Sequence, residues 1–454
     1  MSVAAGGILQ EVLDRGADAG AYGRWEAQLR QVGYCTRPLR LVGEVRTVDT
    51  ATGELTPVYS TSTEPDGTLL KACEQRRETV CRPCSAVYRS DAYQLVAAGL
   101  RGGKGVPATV AGHPTLFVTF TAPSFGPVHS RREKDGRVQR CRPRRDGETC
   151  PHGTSLACRR RHAAADECLG EPLCVECFDY EGAVLWNAHA NELWRRTTIY
   201  VRRALAAAAG MTVKRLATLV RIRYVKVAEY QARGLVHFHA VIRLDAAPDP
   251  EAPGEVAPPP AGLTADVLED AVRRGAAAVS VPVPAAAGGT GGHARWGTQL
   301  DVRRLVAGDG KAGSGSVASY VAKYATKSTD PLGRLDAPLT GIEDLDGRGV
   351  RGHVRRLAQA AWRLGDEEAL EHLRLCRHAH TLGFRGHWMT KSLRYSTTLT
   401  ALRRARVEWA LARRGEDVTP DEDRTSATWR LVGVGYRTAG DAWLAESAAA
   451  RARE

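Results

Sequence analysis

Two β-branched, apolar runs divided by a short break constrain the centre of this chain more than any other feature. Leu219–Gln231 and Leu235–Leu244 are rich in Val, Ile, Tyr and Phe, and Ala232-Arg233-Gly234 separates them. That pattern predicts an antiparallel hairpin. Side chains two apart on a strand share a face, so His237 and His239 point one way and Phe238 points the other, into a core. The hairpin brings the preceding strand alongside, and Glu229 near its end falls on the histidine face as a third ligand. Two nitrogens and one oxygen, with coordination positions left open, suit Mn²⁺ or Mg²⁺ presented to a phosphate.

A second stretch answers the first. Ser314–Ser328 reads as a helix that follows a glycine-rich loop, Gly308–Gly313, with Val317, Tyr320, Val321 and Tyr324 at helical spacing. Tyr320 and Tyr324 sit four apart on one face, flanked by Lys323 and Lys327. Tyrosines at that spacing serve core packing in many helices. Bordered by lysines and downstream of His-Phe-His, these two are candidate nucleophiles. A second His-x-His, His378-Ala-His380, lies in a helical pattern, where residues two apart do not share a face, and is rejected as a metal site.

Ten of the eleven cysteines fall in two clusters with Cys-x-x-Cys pairs and interleaved histidines. In a chain of this size without a secretory leader, that usage reads as structural zinc. Cys35 precedes the β-ribbons of residues 39–70, and Cys73, Cys81 and Cys84 follow them, which predicts a four-thiolate site. Residues 128–180 are basic, poor in apolar side chains and full of ligands: Cys141, Cys150, His152, Cys158, His162, Cys168, Cys174 and Cys177. So polar a segment cannot bury enough surface to fold unaided, and metal supplies its stability. The minimum set is Cys150, Cys158, Cys174 and Cys177, with His152 and His162 next; one zinc or two fit. The basic runs Arg131–Lys134 and Arg142–Arg145 suit a DNA-contacting finger or a solvated loop.

Lys and Arg outnumber Asp and Glu 64 to 51, a net charge of +13. Such a field is consistent with a nucleic-acid partner, as it is with a coding bias toward arginine. The absence of an apolar run of membrane-spanning length or of a leader pattern leads us to expect a soluble, cytoplasmic protein. At 454 residues, two or three domains are expected. We place them at 1–105 with the zinc ribbon, 106–330 with the insertion at 129–180, and a mainly helical region at 331–454. Aromatic, arginine and hydroxyl side chains mix in Gly383–Ser396, which suits phosphate contacts and base stacking.

Three stretches occur in a telling order: Leu116–Pro123, His237-Phe238-His239 and Tyr320-Val-Ala-Lys323-Tyr324. Together they resemble the HUH endonuclease superfamily and, within it, the RepSA-like, paired-tyrosine rolling-circle initiators of actinobacterial plasmids and integrative conjugative elements. The cysteine pattern, Leu382–His387 and Thr390–Ser396 extend the likeness over most of the chain. The resemblance implies an α+β fold, a central antiparallel sheet with helices on one side in the HUH/RRM-like nuclease layout. It also implies single-strand nicking of double- or single-stranded origin DNA through a 5′-phosphotyrosine, with Tyr324 as primary nucleophile and Tyr320 as the second. No P-loop is present, so a separate helicase is expected. A conjugative relaxase or transposase of the same superfamily, or a non-catalytic zinc-containing DNA-binding regulator, remain as alternatives.

Overall fold

The computed structural model describes residues 2–49, 52–143, 149–252, 255–284, 292–305, 314–326, 335, 337–413 and 425–452. The chain divides into two compact units, Met1–Gln94 with Thr398–Glu454, and Leu95–Thr397. The boundaries expected at 105/106 and 330/331 therefore lie elsewhere. Residues 331–397 belong with the larger unit, and residues beyond 398 return to the N-terminal one. The physical reason for that return is a strand pairing of very long sequence separation. Thr425–Val434 runs antiparallel to Leu39–Val48, from Thr47 opposite Thr425 to Leu39 opposite Val434.

In the smaller unit Leu39–Val48 is the central strand, flanked by Leu55–Ser60, Leu69–Lys71 and Thr425–Val434. Two helices precede these strands, Ser2–Gly16 and Ala19–Gln31. Asp18 divides them: its backbone is extended, and its carboxylate accepts from the Gly20 and Ala21 amides as an N-cap. Trp25, Leu29, Val32, Leu70 and Ala445 form a small core beside Cys35, Cys81 and Cys84. Arg15 pairs with buried Asp441 at 2.7 Å, joining the first helix to the last one, Ala439–Arg451.

The larger unit is built on five antiparallel strands: β1 (Thr115–Phe120), β2 (Val220–Tyr230), β3 (Val236–Ala246), β4 (Leu300–Arg304) and β5 (Met389–Lys391), in the order β4-β1-β3-β2-β5. Helix α1 (Tyr180–Ala208) buries Trp186, Ala190, Leu193, Thr197, Val201 and Leu205 at three- and four-residue spacing. Helix α2 (Ala265–Ala278) is capped by the Thr264 hydroxyl on the Val267 amide. Helix α3 (Ser314–Thr326) carries the paired tyrosines, and α4 (Gly352–Leu364) buries Val354, Leu357 and Ala361.

Helices lie on both faces of this sheet, not one. Phe238 meets Trp194 and Trp296 at ring separations of 6.3 and 5.7 Å, on the α1 face. His239, pointing the other way, meets Tyr320 and Tyr324 of α3. Burial along β3 is accordingly continuous from Phe238 to Asp245 instead of alternating, as a strand covered on both faces requires. Helix α4 is followed by two 3₁₀ segments, Glu368–Leu373 and Cys376–Thr381. Among the described residues no helix is long and apolar enough to cross a membrane.

Candidate functional site

The turn between β2 and β3 sets the site. It is closed by backbone hydrogen bonds from Gln231 to Leu235 and from Gly234 to Gln231. Gly234 adopts φ +75°, and a Cβ there would stand 2.3 Å from Leu357 Cδ1, so the position needs glycine for its backbone and for its packing. This turn puts Glu229 opposite His237 and Val227 opposite His239. The ligand residues converge as a result. Glu229 Oε2 lies 2.9 Å from His237 Nε2 and 3.0 Å from His239 Nε2. For bonds of about 2.1 Å in an octahedral shell, adjacent donors stand roughly 3.0 Å apart, so the carboxylate oxygen can sit next to each imidazole nitrogen in such a shell. Burial raises the Glu229 carboxyl, but the hydrogen bonds and charges of the two imidazoles outweigh it and hold the pKa below its ordinary value. His239, almost fully buried, is held below the usual imidazole range chiefly by desolvation. Both shifts favour the forms a cation binds, carboxylate and neutral imidazole.

Two residues that sequence reasoning passed over complete this wall. The Thr119 hydroxyl on β1 lies 3.0 Å from His239 Nδ1. Phe117, also on β1, stacks on the His239 ring at 5.8 Å and 11°. Their signal was present in the strand Leu116–Pro123, where Phe117 and Thr119 alternate on the face of His239, but hydroxyl and aromatic residues are ordinary strand formers.

Helix α3 lays both tyrosines on the His239 imidazole. The Tyr320 and Tyr324 rings stand 5.1 and 5.3 Å from the His239 ring and 4.5 Å from each other. Burial pushes the Tyr320 phenol up, as do its hydrogen bond to Tyr324 and the charge of Glu229, while Arg303 on β4 acts in the opposite direction. Tyr324 is also raised, by burial and Glu229, but its hydrogen bond with Tyr320 lowers it. Tyr324 is thus the better placed of the two to lose its proton. Lys323 is exposed, its Nζ 5.6 Å from the Tyr324 ring centre. Lys327 and the loop Gly308–Gly313 lie outside the described residues. His378 and His380 lie on a 3₁₀ turn and take part in no ligand cluster among the described residues.

The N-terminal cysteines Cys35, Cys73, Cys81 and Cys84 come together with their sulfurs within 4.8 Å of one another. Cys35 and Cys81 are 3.8 Å apart, the edge of a tetrahedron with metal–sulfur bonds of roughly 2.3 Å. The Cys35 and Cys81 sulfurs push the Cys84 thiol up, a crowding that a divalent cation relieves. In the insertion, Cys150, Cys174 and Cys177 converge with His152, whose Nδ1 lies 3.2 Å from Cys177 Sγ and 3.8 Å from Cys174 Sγ. Cys158, grouped with that set in the sequence reading, is not part of it. It lies with Cys141, His162 and His129, because the chain crosses itself between the two sets: Arg142 and Cys158 exchange backbone hydrogen bonds at 2.8 and 3.0 Å.

A cleft of about 560 Å³ opens beside the hairpin turn, lined by Gln231–Arg233, Thr121 and the insertion residues His129 and Arg142. Gly170, at φ +86°, presses the insertion onto this turn: a Cβ would stand 2.2 Å from the Ala232 carbonyl carbon.

The sequence profile of the RepSA family, described as replication initiator protein, pSAM2, matches residues 21–450. A replication initiator protein of Streptomyces ambofaciens is 44% identical over 446 residues, covering 96% of this chain and 91% of the relative. No solved structure matches the chain. With a profile spanning nearly its whole length and a relative so similar end to end, the chain belongs to the RepSA family of replication initiator proteins.

Proposed function

We propose that this chain starts rolling-circle replication by nicking one strand of origin DNA at the Glu229, His237 and His239 centre, with Tyr324 as first nucleophile and Tyr320 as second. The observation that carries the reading is the placement of both phenol rings within 5.3 Å of the His239 ring, itself 3.0 Å through Nε2 from Glu229. Mn²⁺ or Mg²⁺ held by these three side chains would supply Lewis-acid polarisation of the scissile phosphate. Tyr324 Oη forms a bond to phosphorus as the bond to the 3′ oxygen breaks; a 3′ hydroxyl leaves, and the 5′ phosphate stays on the protein. The phosphodiester energy is kept in the new ester, so rejoining needs no nucleotide cofactor. Thr119 holds the His239 ring with Nε2 toward Glu229, and Phe117 excludes water from its face. The 3′ hydroxyl primes synthesis, and Tyr320 is then available to attack the regenerated origin while Tyr324 remains linked.

The same reading assigns zinc to the Cys35 and Cys150 sets as a structural ion, and unwinding to a separate helicase. It is tested with a labelled single-stranded origin oligonucleotide and Mn²⁺. A protein–DNA adduct that survives denaturation, and that Tyr324→Phe and chelation both remove, is expected. Origin binding with no adduct under any metal condition would favour a DNA-binding regulator instead. Cutting confined to a transfer origin or an element end would favour a relaxase or transposase.

A further inference from the structure

The insertion between β1 and α1 holds a second constellation of ligands apart from the Cys150 set. His129, Cys141, Cys158 and His162 place one ligand atom each within 4.8 Å of the others. Cys158 Sγ lies 3.5 Å from His162 Nε2. A sulfur at about 2.3 Å and an imidazole nitrogen at about 2.0 Å from a tetrahedral ion stand roughly 3.5 Å apart. On the other side of the ring His162 Nδ1 lies 2.8 Å from Asp166 Oδ2. An Nδ1–H donated to that carboxylate leaves the Nε2 lone pair facing Cys158, the arrangement by which metal-bound histidines are oriented. Cys141 Sγ accepts the Ser130 amide at 3.1 Å, a contact that favours thiolate. His129 contributes an independent sign. Its Nδ1 is buried with no hydrogen-bond partner among the described residues, a condition that is unfavourable unless something fills it.

We propose that His129, Cys141, Cys158 and His162 bind a zinc ion of their own. Along the chain the two sets alternate in pairs: residues 129 and 141 belong to the first ion, 150 and 152 to the second, 158 and 162 to the first, 174 and 177 to the second. Each ion therefore closes a loop that contains ligands of the other, and the insertion is cross-braced. This topology supplies what the segment lacks in apolar core. It also fixes one wall of the cleft beside the hairpin turn: the His129 amide donates to the Glu171 carbonyl at 2.8 Å, and the Gly170 amide donates to the His129 carbonyl at 2.9 Å.

The inference extends the zinc reading of the Cys150 set, and its measurement is independent of nicking. Zinc is counted by native mass spectrometry on the full chain, purified under reducing conditions. Cys141→Ser and Cys177→Ser should each remove about one equivalent, and the double variant about two. His129→Cys should keep the count. In the cobalt-substituted protein, His129→Cys should also raise the sulfur-to-cobalt charge-transfer absorption by about one thiolate's share. That readout needs no ligand removed and stands even if Cys141→Ser fails to fold. A Cys141→Ser protein with an unchanged zinc count, a double variant that loses a single equivalent, or an unchanged cobalt spectrum in His129→Cys would overturn the second ion. Loss of zinc from neither cysteine variant would overturn the zinc reading of both sets.

Discussion

The Thr119 hydroxyl lies 3.0 Å from Nδ1 of His239, across the β1–β3 pair where the two residues are direct partners. With Nδ1–H donating to Thr119, His239 presents its Nε2 lone pair to the position shared with Glu229 and His237. Partners of this kind around a metal ligand commonly contribute 10–100-fold in affinity or activity. Thr119→Val keeps the β-branched shape and removes the acceptor. We expect Mn²⁺ affinity to fall by roughly 10-fold, with the fold intact, because Thr119 sits at a strand position that Val also suits. Isothermal titration with Mn²⁺, alongside thermal unfolding, separates the two. Equal Mn²⁺ affinity in Thr119→Val and the parent would remove Thr119 from the site.

The cysteine set of the smaller unit makes a local prediction. Cys35 is anchored before the central strand Leu39–Val48, and Cys73, Cys81 and Cys84 lie after Leu69–Lys71. A bound zinc contributes on the order of 10 kcal/mol in small structural sites. Chelation under reducing conditions should therefore abolish amide-exchange protection in Leu39–Val48 and Leu69–Lys71. Protection in β3, whose core is Phe238, Trp194 and Trp296, should persist. Unchanged exchange in Leu39–Val48 after complete zinc removal would refute a structural role.

Lys226 gives the pH dependence. It is 1% exposed on the α1 face of the sheet, donates to Asn191 Oδ1 at 3.0 Å, and stands 3.7 Å from the centre of the Phe238 ring. Burial pulls its ammonium down to about 7. An unfolded lysine titrates near 10.4, so from about pH 7 to pH 10 the unfolded chain binds a proton the folded chain lacks. Stability then rises with pH across that window, by at most ~1.4 kcal/mol per unit from this group, and the contribution is flat below it. Lys226→Met should flatten the rise and be more stable at pH 7, by roughly 1–2 kcal/mol once the lost Asn191 bond is allowed for. Urea midpoints at pH 7 and 9 decide this; the same pH slope in variant and parent would rule out a neutral Lys226.

How much of the site can be read from sequence follows from how local each relationship is. Glu229 and His237 pair across a turn of a few residues, so strand periodicity and turn position are enough to bring them together. The four N-terminal cysteines bracket one ribbon, and their grouping is equally legible. Cys158 is different. In an interleaved pair of sites the spacing of cysteines does not say which pair shares an ion, and the backbone crossing at Arg142 and Cys158 that sorts them has no local signal. The same holds for Thr425–Val434: its apolar alternation marks a strand, but its partner Leu39–Val48 lies nearly the whole chain away. Helices on both faces were encoded in the unbroken apolar run Ala240-Val241-Ile242, a pattern that a one-sided sheet does not need.

Tyr320 and Tyr324 are neighbours on one helical turn, yet their surroundings differ, and the difference predicts unequal roles. Tyr320 is 39% exposed, packs edge-on against Phe117 at 5.6 Å, and has its phenol raised by burial and by its hydrogen bond to Tyr324. Tyr324 is raised as well, by burial and Glu229, but that bond lowers it, and Lys323 stands over its ring. Attack on phosphorus needs the phenol to shed its proton, so the acidity order favours Tyr324 for the first step. We therefore expect Tyr324→Phe to lose nearly all initial nicking and covalent adduct, by at least about 100-fold, since nucleophile removal leaves only binding and electrostatics. Tyr320→Phe should still nick, somewhat more slowly than the parent because Tyr324 loses the hydrogen bond that lowers it, and without a second acceptor for the strand. In cells it should terminate poorly and accumulate multimeric single strands. Tryptic mapping of the adduct on a suicide oligonucleotide identifies the linked residue directly. Linkage at Tyr324 in the parent and in Tyr320→Phe is expected. Linkage confined to Tyr320 would reverse the assignment, and a fully active double Phe variant would show that neither phenol is the nucleophile.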